Sequence, residues 1–141
     1  MKKRFAPLTL LTVLIFMVLS CSKNDVTPPS VSLLQYKWSA DSSVTVAYAL
    51  GQSQRASLPY LPGSYDEFKS NGIAYSYIGT SANGFIKDSS AYTYSNNILT
   101  IRGTKYNVNT LTSNILVLGF DSSITIQNIT EQFQSKIYFH R

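Results

Sequence analysis

Side chains of the types that carry out covalent or acid–base chemistry are few in this chain of 141 residues. Cys21 is the only cysteine, and His140, next to the C-terminal residue, is the only histidine. No carboxylate is spaced along the sequence to orient His140, so a catalytic role for it is not expected. Asp66 and Glu67 are adjacent, so in a strand they point to opposite faces and cannot act as a paired acid and base. Both are predicted to be solvated charges.

The usual sequence marks of catalysis and cofactor binding are also missing. The chain has no Gly-x-Ser-x-Gly nucleophile elbow and no glycine-rich loop of the kind that binds phosphate. One histidine and one cysteine cannot supply the usual sets of transition-metal ligands. We therefore expect no enzymatic activity, no cofactor and no metal site.

Tyrosines are the best candidates for contacts with a ligand. In strands, residues two apart share a face, and tyrosine rings with their polar tips commonly line sites for small ligands. The aromatic residues predicted to line a cavity in this way are Tyr75, Tyr77, Tyr92, Tyr94 and Tyr106, with Phe68 and Phe85 as neighbours. The alternative is that these tyrosines lie on the outside of a sheet, because tyrosine is also a good strand former.

The first twenty residues have the pattern of an export signal. Residues 2–4 are basic, and residues 5–19 are mostly apolar but short for a bilayer span, which needs about 20 residues. Residues 18–21, Val-Leu-Ser-Cys, resemble the bacterial lipobox. That resemblance implies that the Cys21 thiol is acylated and that cleavage falls just before it, leaving residues 1–20 as a lipoprotein signal peptide. The alternative is an ordinary signal peptide beside a chance cysteine.

Acylation of Cys21 would make a membrane the first partner of the protein, because each buried CH₂ contributes about 0.8 kcal/mol. Residues 21–32 are predicted to form the lipidated cysteine and a flexible tether containing two consecutive prolines. The polar residues 22–25 resemble the start of many Bacteroidetes lipoproteins. This resemblance implies a lipid-anchored position at the outer membrane, facing the periplasm or the cell surface.

The basic charge of the chain lies largely in the predicted signal. Residues 2–4 supply three of the 12 basic residues, so nine remain against seven acidic residues. Proteins that bind polyanions usually concentrate positive charge in their folded part. Nucleic acid is therefore not an expected partner.

From residue 33 onward, segments of alternating apolar and polar residues are bounded by turn residues, which is typical of β-structure. Asn71–Gly72 and Asn96–Asn97 are signals for tight hairpin turns. Residues 51–63, which contain two prolines, are predicted to be a long irregular loop. The segments predicted to be strands are 36–40, 44–50, 65–68, 73–78, 91–94, 98–102, 105–111, 115–120, 124–129 and 133–139.

Consecutive short antiparallel strands favour a sandwich or a barrel. Because the connections read as hairpins without a long crossover, we predict an all-β fold, a small antiparallel up-and-down barrel of about eight to nine strands. The predicted barrel domain covers residues 33–141. The interior of such a barrel holds either side chains or one small ligand.

Four segments of the predicted barrel resemble the lipocalin-like lipoproteins of Bacteroidetes. Residues 34–38 are similar to their Leu-x-Gly-x-Trp opening and residues 65–72 to their Phe-x-x-Asp-Gly hairpin. Residues 92–101 resemble their Tyr-x-Ile-x-Gly-Asn-x-Leu-Thr-Ile segment, and residues 106–118 their Tyr-x-Ile-x-x-Leu-Thr-x-Asn-x-Leu-Val-Leu segment. The order and spacing of the four carry the resemblance, which implies a lipocalin-like barrel closed at one end by Trp38 as a structural residue.

Two functions follow as hypotheses. The first is a membrane-anchored envelope lipoprotein whose barrel binds a small, largely apolar ligand without catalysis. The second is an accessory subunit of an envelope complex that contacts a protein partner through the outer surface of the barrel. The fold alone does not separate them, because such folds host many functions.

Overall fold

The computed structural model describes residues 30–141. The predicted signal peptide, Cys21 and most of the predicted tether therefore lie outside the described residues. The elements, in chain order, are α1 (Val31–Leu34), β1 (Lys37–Ala49), β2 (Gln52–Pro59), β3 (Tyr65–Phe68), β4 (Ile73–Thr80), β5 (Gly84–Ser95), β6 (Ile98–Ile101), β7 (Thr104–Leu111), β8 (Ile115–Ile126) and β9 (Ile129–His140). Within this part of the chain, no helix is both long enough and apolar enough to cross a membrane.

The strands form one antiparallel sheet that closes on itself. β1 pairs with β3 on one edge and with β9 on the other, and strands β3 to β9 pair in sequence order, giving a closed barrel of eight strands. β2 is the ninth strand and pairs with the second half of β1. The predicted fold class, a small antiparallel up-and-down β-barrel, is confirmed, and the architecture is consistent with a lipocalin-like barrel.

β1 is long because it contains a bulge. Its register against β9 shifts between Ala40 and Ser42, so Asp41 is an extra residue. Before the bulge Trp38 and Ala40 face the core, whereas after it the alternation is displaced by one residue. This displacement explains why the sequence predicts two strands, 36–40 and 44–50, where the structure has the single strand β1.

Other predicted boundaries are also wrong, among them the start of β5, which lies at Gly84 and not at residue 91. Residues 51–63 were expected to be an irregular loop, yet most of them form β2, whose side chains are all exposed and so show no apolar alternation. Residues 124–129 were expected to be one strand, but β8 ends at Ile126 and β9 begins at Ile129. Gln127 and Asn128 make the turn with positive φ angles of 50° and 66°. Because isoleucines lie on both sides of this turn, the sequence alternates between apolar and polar residues as it would in a single strand.

One end of the barrel, which we call the closed end, is filled by apolar side chains. Trp38, Phe68 and Phe139 are almost fully buried there, together with leucines from α1, β6 and β8. The indole Nε1 of Trp38 donates a hydrogen bond of 2.9 Å to the backbone oxygen of Leu34, which ties α1 to the barrel. Trp38 is therefore a fully buried residue of the closed end.

The last residue of the chain covers the closed end from outside. The Arg141 guanidinium lies 3.8 Å from the ring centroid of Tyr36 and 4.9 Å from that of Trp38. Its Nε also donates to the backbone oxygen of Ser113. These contacts join the start and the end of the barrel chain.

The connection between β2 and β3 is held against β4 by Ser64. This buried hydroxyl donates to the backbone oxygen of Leu61 at 2.7 Å and accepts from the backbone N–H of Gly79 at 2.9 Å. Because β2 and β3 both pair with β1, the connection joins two strands on the same edge of β1. Tyr60, in this connection, is partly buried and packs against the barrel core.

Replacing Ser64 by alanine is expected to lower the free energy of unfolding by about 1–3 kcal/mol, because the buried Gly79 N–H loses its acceptor. The measurement is the urea concentration at the midpoint of unfolding. Ser70→Ala, on an exposed turn, is the matched control and should stay within about 0.5 kcal/mol of the parent. Equal midpoints for the two variants would contradict this role of Ser64.

Candidate functional site

A row of polar side chains crosses the inner wall of the barrel above the closed end. Asp66 on β3 stands opposite Ser76 on β4, and Ser76 stands opposite Asp88 on β5. Asp66 is two residues from buried Phe68, and Ser76 is two residues from buried Ala74, so both point into the barrel. The prediction that Asp66 is a solvated charge is therefore wrong.

Asp66 is only partly satisfied by the protein. Its Oδ1 atom is buried and has no hydrogen-bond partner among residues 30–141. Removal from water raises the pKa of Asp66 above its ordinary value, and a hydrogen bond with the Ser76 hydroxyl offsets part of that rise. A buried polar atom left without a partner is costly, so its presence in a folded protein needs an explanation.

Two tyrosine hydroxyl groups share the electrostatic environment of Asp66. Burial raises the pKa of Tyr60, a hydrogen bond with Ser43 lowers it in part, and the Asp66 charge raises it further. Burial also raises the pKa of Tyr106, with added contributions from Asp66 and Tyr60. Tyr60 and Tyr106 therefore stay neutral at physiological pH and face the carboxylate as uncharged hydroxyl groups.

A cavity of about 210 Å³ adjoins this polar row. Asp66, Ser76 and Tyr106 line it, together with small side chains such as Ala74 and Ser90 that leave the space open. Its volume equals that of about seven water molecules in the liquid. The cavity can therefore hold a small molecule, or the head of a longer one.

An ion pair stands at the edge of the cavity. Arg102, in the turn between β6 and β7 with a positive φ of 52°, reaches Asp88 on β5. Both residues also line the cavity. Since Arg102 compensates Asp88, the carboxylate of Asp66 is the one acidic group in the lining without a cationic partner among the described residues.

Of the five tyrosines predicted to line a cavity, Tyr106 is the one that borders this space. Tyr92 points inward but lies in the core, where its ring packs edge-on against Phe68 and its hydroxyl donates to the Lys69 backbone oxygen at 2.9 Å. Tyr94 packs against the same core, and its hydroxyl donates to Asn97 Oδ1 at 3.2 Å.

Tyr75 and Tyr77 lie on the outer face of the barrel, which corrects their expected position. They alternate along β4 with the inward Ala74 and Ser76, so the register of Asp66 and Phe68 fixes them outside. The tyrosine pair on β4, Tyr75 and Tyr77, therefore lies on the opposite face of the sheet from the pair on β5, Tyr92 and Tyr94.

Phe85 likewise lies outside the barrel. Its ring stacks on Tyr77 at 4.5 Å between centroids, and Tyr65 packs against the other side of Tyr77 at 5.7 Å. The ring lies over Gly79, where an added Cβ would come within 2.7 Å of it. The lysines Lys37 and Lys87 sit over the rings of Tyr65 and Tyr77 at the ends of this outer aromatic cluster.

A larger depression of about 400 Å³ also lies on the outer face, across β7, β8, β9, β1 and β2. Its lining is polar and includes Arg55, Asn107, Lys136 and Tyr138, with Val44 as an apolar member. The side chains of Thr45 and Ser135, which alternate with Val44 and Lys136, point inward and hydrogen-bond to each other at 2.9 Å. The outer depression and the inner cavity share no lining residue, so they are separate.

His140 has a carboxylate partner that sequence spacing did not reveal. The bulge residue Asp41 places its Oδ1 2.6 Å from His140 Nδ1, on the exposed outer face. No hydroxyl or thiol side chain hydrogen-bonds to His140 in the part of the chain described. Across residues 30–141, no group of three or more His, Cys, Asp or Glu side chains is arranged to hold a metal ion.

Sequence reasoning missed Asp66 and Ser76 as cavity residues, and Tyr60 as a hydroxyl group in the electrostatic environment of Asp66. Asp66 and Glu67 were correctly expected on opposite faces, but alternation does not say which face is buried. Tyr60 lies in the segment expected to be an irregular loop. Only the register of the paired strands shows that Asp66 and Ser76 face the interior, and the sequence alone does not give that register.

Comparison of the chain with protein-family models, with curated proteins and with solved structures finds no match in any of the three.

Proposed function

We propose that the protein is a cell-envelope lipoprotein whose barrel binds a small molecule without catalysis. The observation that carries the proposal is the inner cavity of about 210 Å³ with the unpartnered Oδ1 of Asp66 in its wall. Ligand sites in barrels combine apolar walls with a few convergent polar groups and perturbed pKa values. The ligand supplies the partner that the protein does not give to Asp66.

The non-catalytic part of the proposal rests on the surroundings of the cavity. Asp66 faces hydroxyl groups of neutral tyrosines and serines, and Asp88 is held in its ion pair with Arg102. Neutral tyrosine and serine hydroxyl groups donate and accept hydrogen bonds, so we propose that Asp66 and its neighbours orient a bound molecule rather than react with it.

The experiment is mass spectrometry of small molecules that stay bound to the full chain after purification from its native envelope under non-denaturing conditions. One recurring molecule at close to one per barrel is expected. The control is Ser76→Leu, which places a larger apolar side chain in the cavity and should release that molecule. A preparation that is repeatedly empty, or a molecule retained by Ser76→Leu, would overturn interior binding.

The membrane anchor at Cys21 is part of the same proposal and is tested separately. The intact mass of the mature protein is expected to correspond to a chain that begins at Cys21 and carries two or three acyl chains. A mature chain that starts elsewhere, or an unmodified Cys21, would contradict lipid anchoring at the outer membrane and would leave the ligand proposal standing.

A second candidate function is an accessory subunit that contacts an envelope protein through the outer surface. The outer depression of about 400 Å³ and the outer aromatic cluster around Tyr77 favour it. The interior variant Ser76→Leu and the outer variant Lys136→Glu separate the two candidates. An accessory subunit would lose its partner with Lys136→Glu and would keep it with Ser76→Leu.

A further inference from the structure

We propose that the ligand of the inner cavity carries a positively charged head, such as an ammonium group, which binds Oδ1 of Asp66, and an apolar body, which lies against the wall above it. The proposal rests on interior binding as proposed above and names the chemical class of the ligand.

The charge of the cavity selects a cation. Asp66 and Asp88 bring two carboxylates to the lining, and Arg102, already paired with Asp88, is its single basic residue. The other titratable groups that face Asp66 are Tyr60 and Tyr106, whose hydroxyl groups are neutral. An anionic head would meet an uncompensated like charge, whereas a cationic head would complete an ion pair with the buried Oδ1 of Asp66.

The geometry of Oδ1 favours a donor with more than one N–H. Oδ1 of Asp66 is buried and has no hydrogen-bond partner among the described residues, and Ser76 stands opposite Asp66 on the neighbouring strand. The hydroxyl groups of Ser76 and Tyr106, in the same lining, can accept further hydrogen bonds. An ammonium group has three donors, which matches this set of oxygen atoms.

The wall above the polar row is apolar. Ile78 and Ile86 pair across β4 and β5, two residues beyond Ser76 and Asp88, so they face inward at the next level. Ile86 is 59% exposed, which leaves apolar surface uncovered on the side away from the closed end. Ile101 and Ala74 are apolar members of the cavity lining itself. A ligand with its head at Asp66 can bury an apolar body against these side chains.

The test uses three probes of one size and shape that differ in charge: benzylammonium, benzyl alcohol and benzoate. Each is titrated into the full chain while NMR follows the amide signals of Asp66, Ser76 and Tyr106. Benzylammonium is expected to bind at least about tenfold more tightly than the other two, which corresponds to about 1.4 kcal/mol. Asp66→Asn should remove this preference, and Asp121→Asn, an equal charge change at an exposed site, should keep it.

The outcomes separate this inference from the proposed function. Equal affinity of the three probes, or a preference that survives in Asp66→Asn, overturns the cationic head, and interior binding still stands if a neutral or anionic molecule is released by Ser76→Leu. The comparison of probes on the unmodified chain decides the matter even if Asp66→Asn does not fold.

Discussion

Replacing Trp38 by alanine is expected to lower the free energy of unfolding by about 3–5 kcal/mol. The indole is fully buried, packs with Phe68 and Phe139 at the closed end, and holds α1 through its hydrogen bond to the Leu34 oxygen. Its removal leaves a cavity and takes away one of the two hydrogen bonds that the Leu34 oxygen accepts, the other coming from the backbone N–H of Tyr36 at 2.7 Å. Because small domains have a total stability of about 5–15 kcal/mol, the loss should be visible as a large fall in the urea midpoint.

Two further variants separate the contributions of Trp38. Trp38→Phe keeps most of the apolar volume but loses the indole hydrogen bond to the Leu34 oxygen, which still accepts from Tyr36 N–H, so a smaller loss of about 0.5–1.5 kcal/mol is expected. Tyr75→Ala removes an outward, 41% exposed ring of similar size and should change stability by no more than about 0.5 kcal/mol. If Trp38→Ala proved as mild as Tyr75→Ala, Trp38 would not close the barrel.

The second large effect concerns pH, with stability expected to fall as the pH rises through the titration of Asp66. Burial raises the folded-state pKa of Asp66 above its ordinary value of 3.8. Between pH 3.8 and the raised pKa of the folded state, the folded chain binds more protons than the unfolded chain. The free energy of unfolding therefore decreases as the pH rises through this range. Each unit of upward shift corresponds to about 1.4 kcal/mol, and the loss persists at higher pH.

The difference in unfolding free energy between the parent chain and Asp66→Asn isolates this effect, because the other carboxylates titrate in both proteins. Urea unfolding at a series of pH values above 3.8 should show the parent losing stability relative to Asp66→Asn until Asp66 is fully ionised. Asp121→Asn, at an exposed position, should run parallel to the parent. Parallel curves for the parent and Asp66→Asn would contradict a buried, destabilised carboxylate.

The fold class could be predicted because the local rules of hairpins agree with the final topology. Asn96 and Asn97 adopt the positive φ angles, 50° and 60°, that a tight hairpin turn requires, and Gly72 does so at 79°. These turns fixed which strands are neighbours. Two of the strand boundaries that failed lie at the bulge of Asp41 and at the turn of Gln127 and Asn128, where one extra residue or an atypical turn residue disguises the alternation.

The candidate site could not be predicted to the same extent, because alternation defines two faces and does not say which is inside. On β4 the bulky Tyr75 and Tyr77 suggested a cavity lining, but the small Ala74 and Ser76 face inward and create the cavity. Asp66 reads as a surface charge in the sequence, and its burial follows from pairing with strands that are distant along the chain. The inward face is a property of barrel closure, which brings β1 and β9 together across the whole domain.

The most direct test of this binding site is an NMR titration of the Asp66 side-chain carboxyl carbon in the full chain, with and without benzylammonium. We expect a titration midpoint above pH 3.8 in the free protein, which moves down when the cation is added, because the ion pair favours the charged carboxylate. A midpoint at or below 3.8 in the free protein would show that water or another protein group already satisfies Asp66. That result would contradict the inner cavity as a binding site organised around this residue.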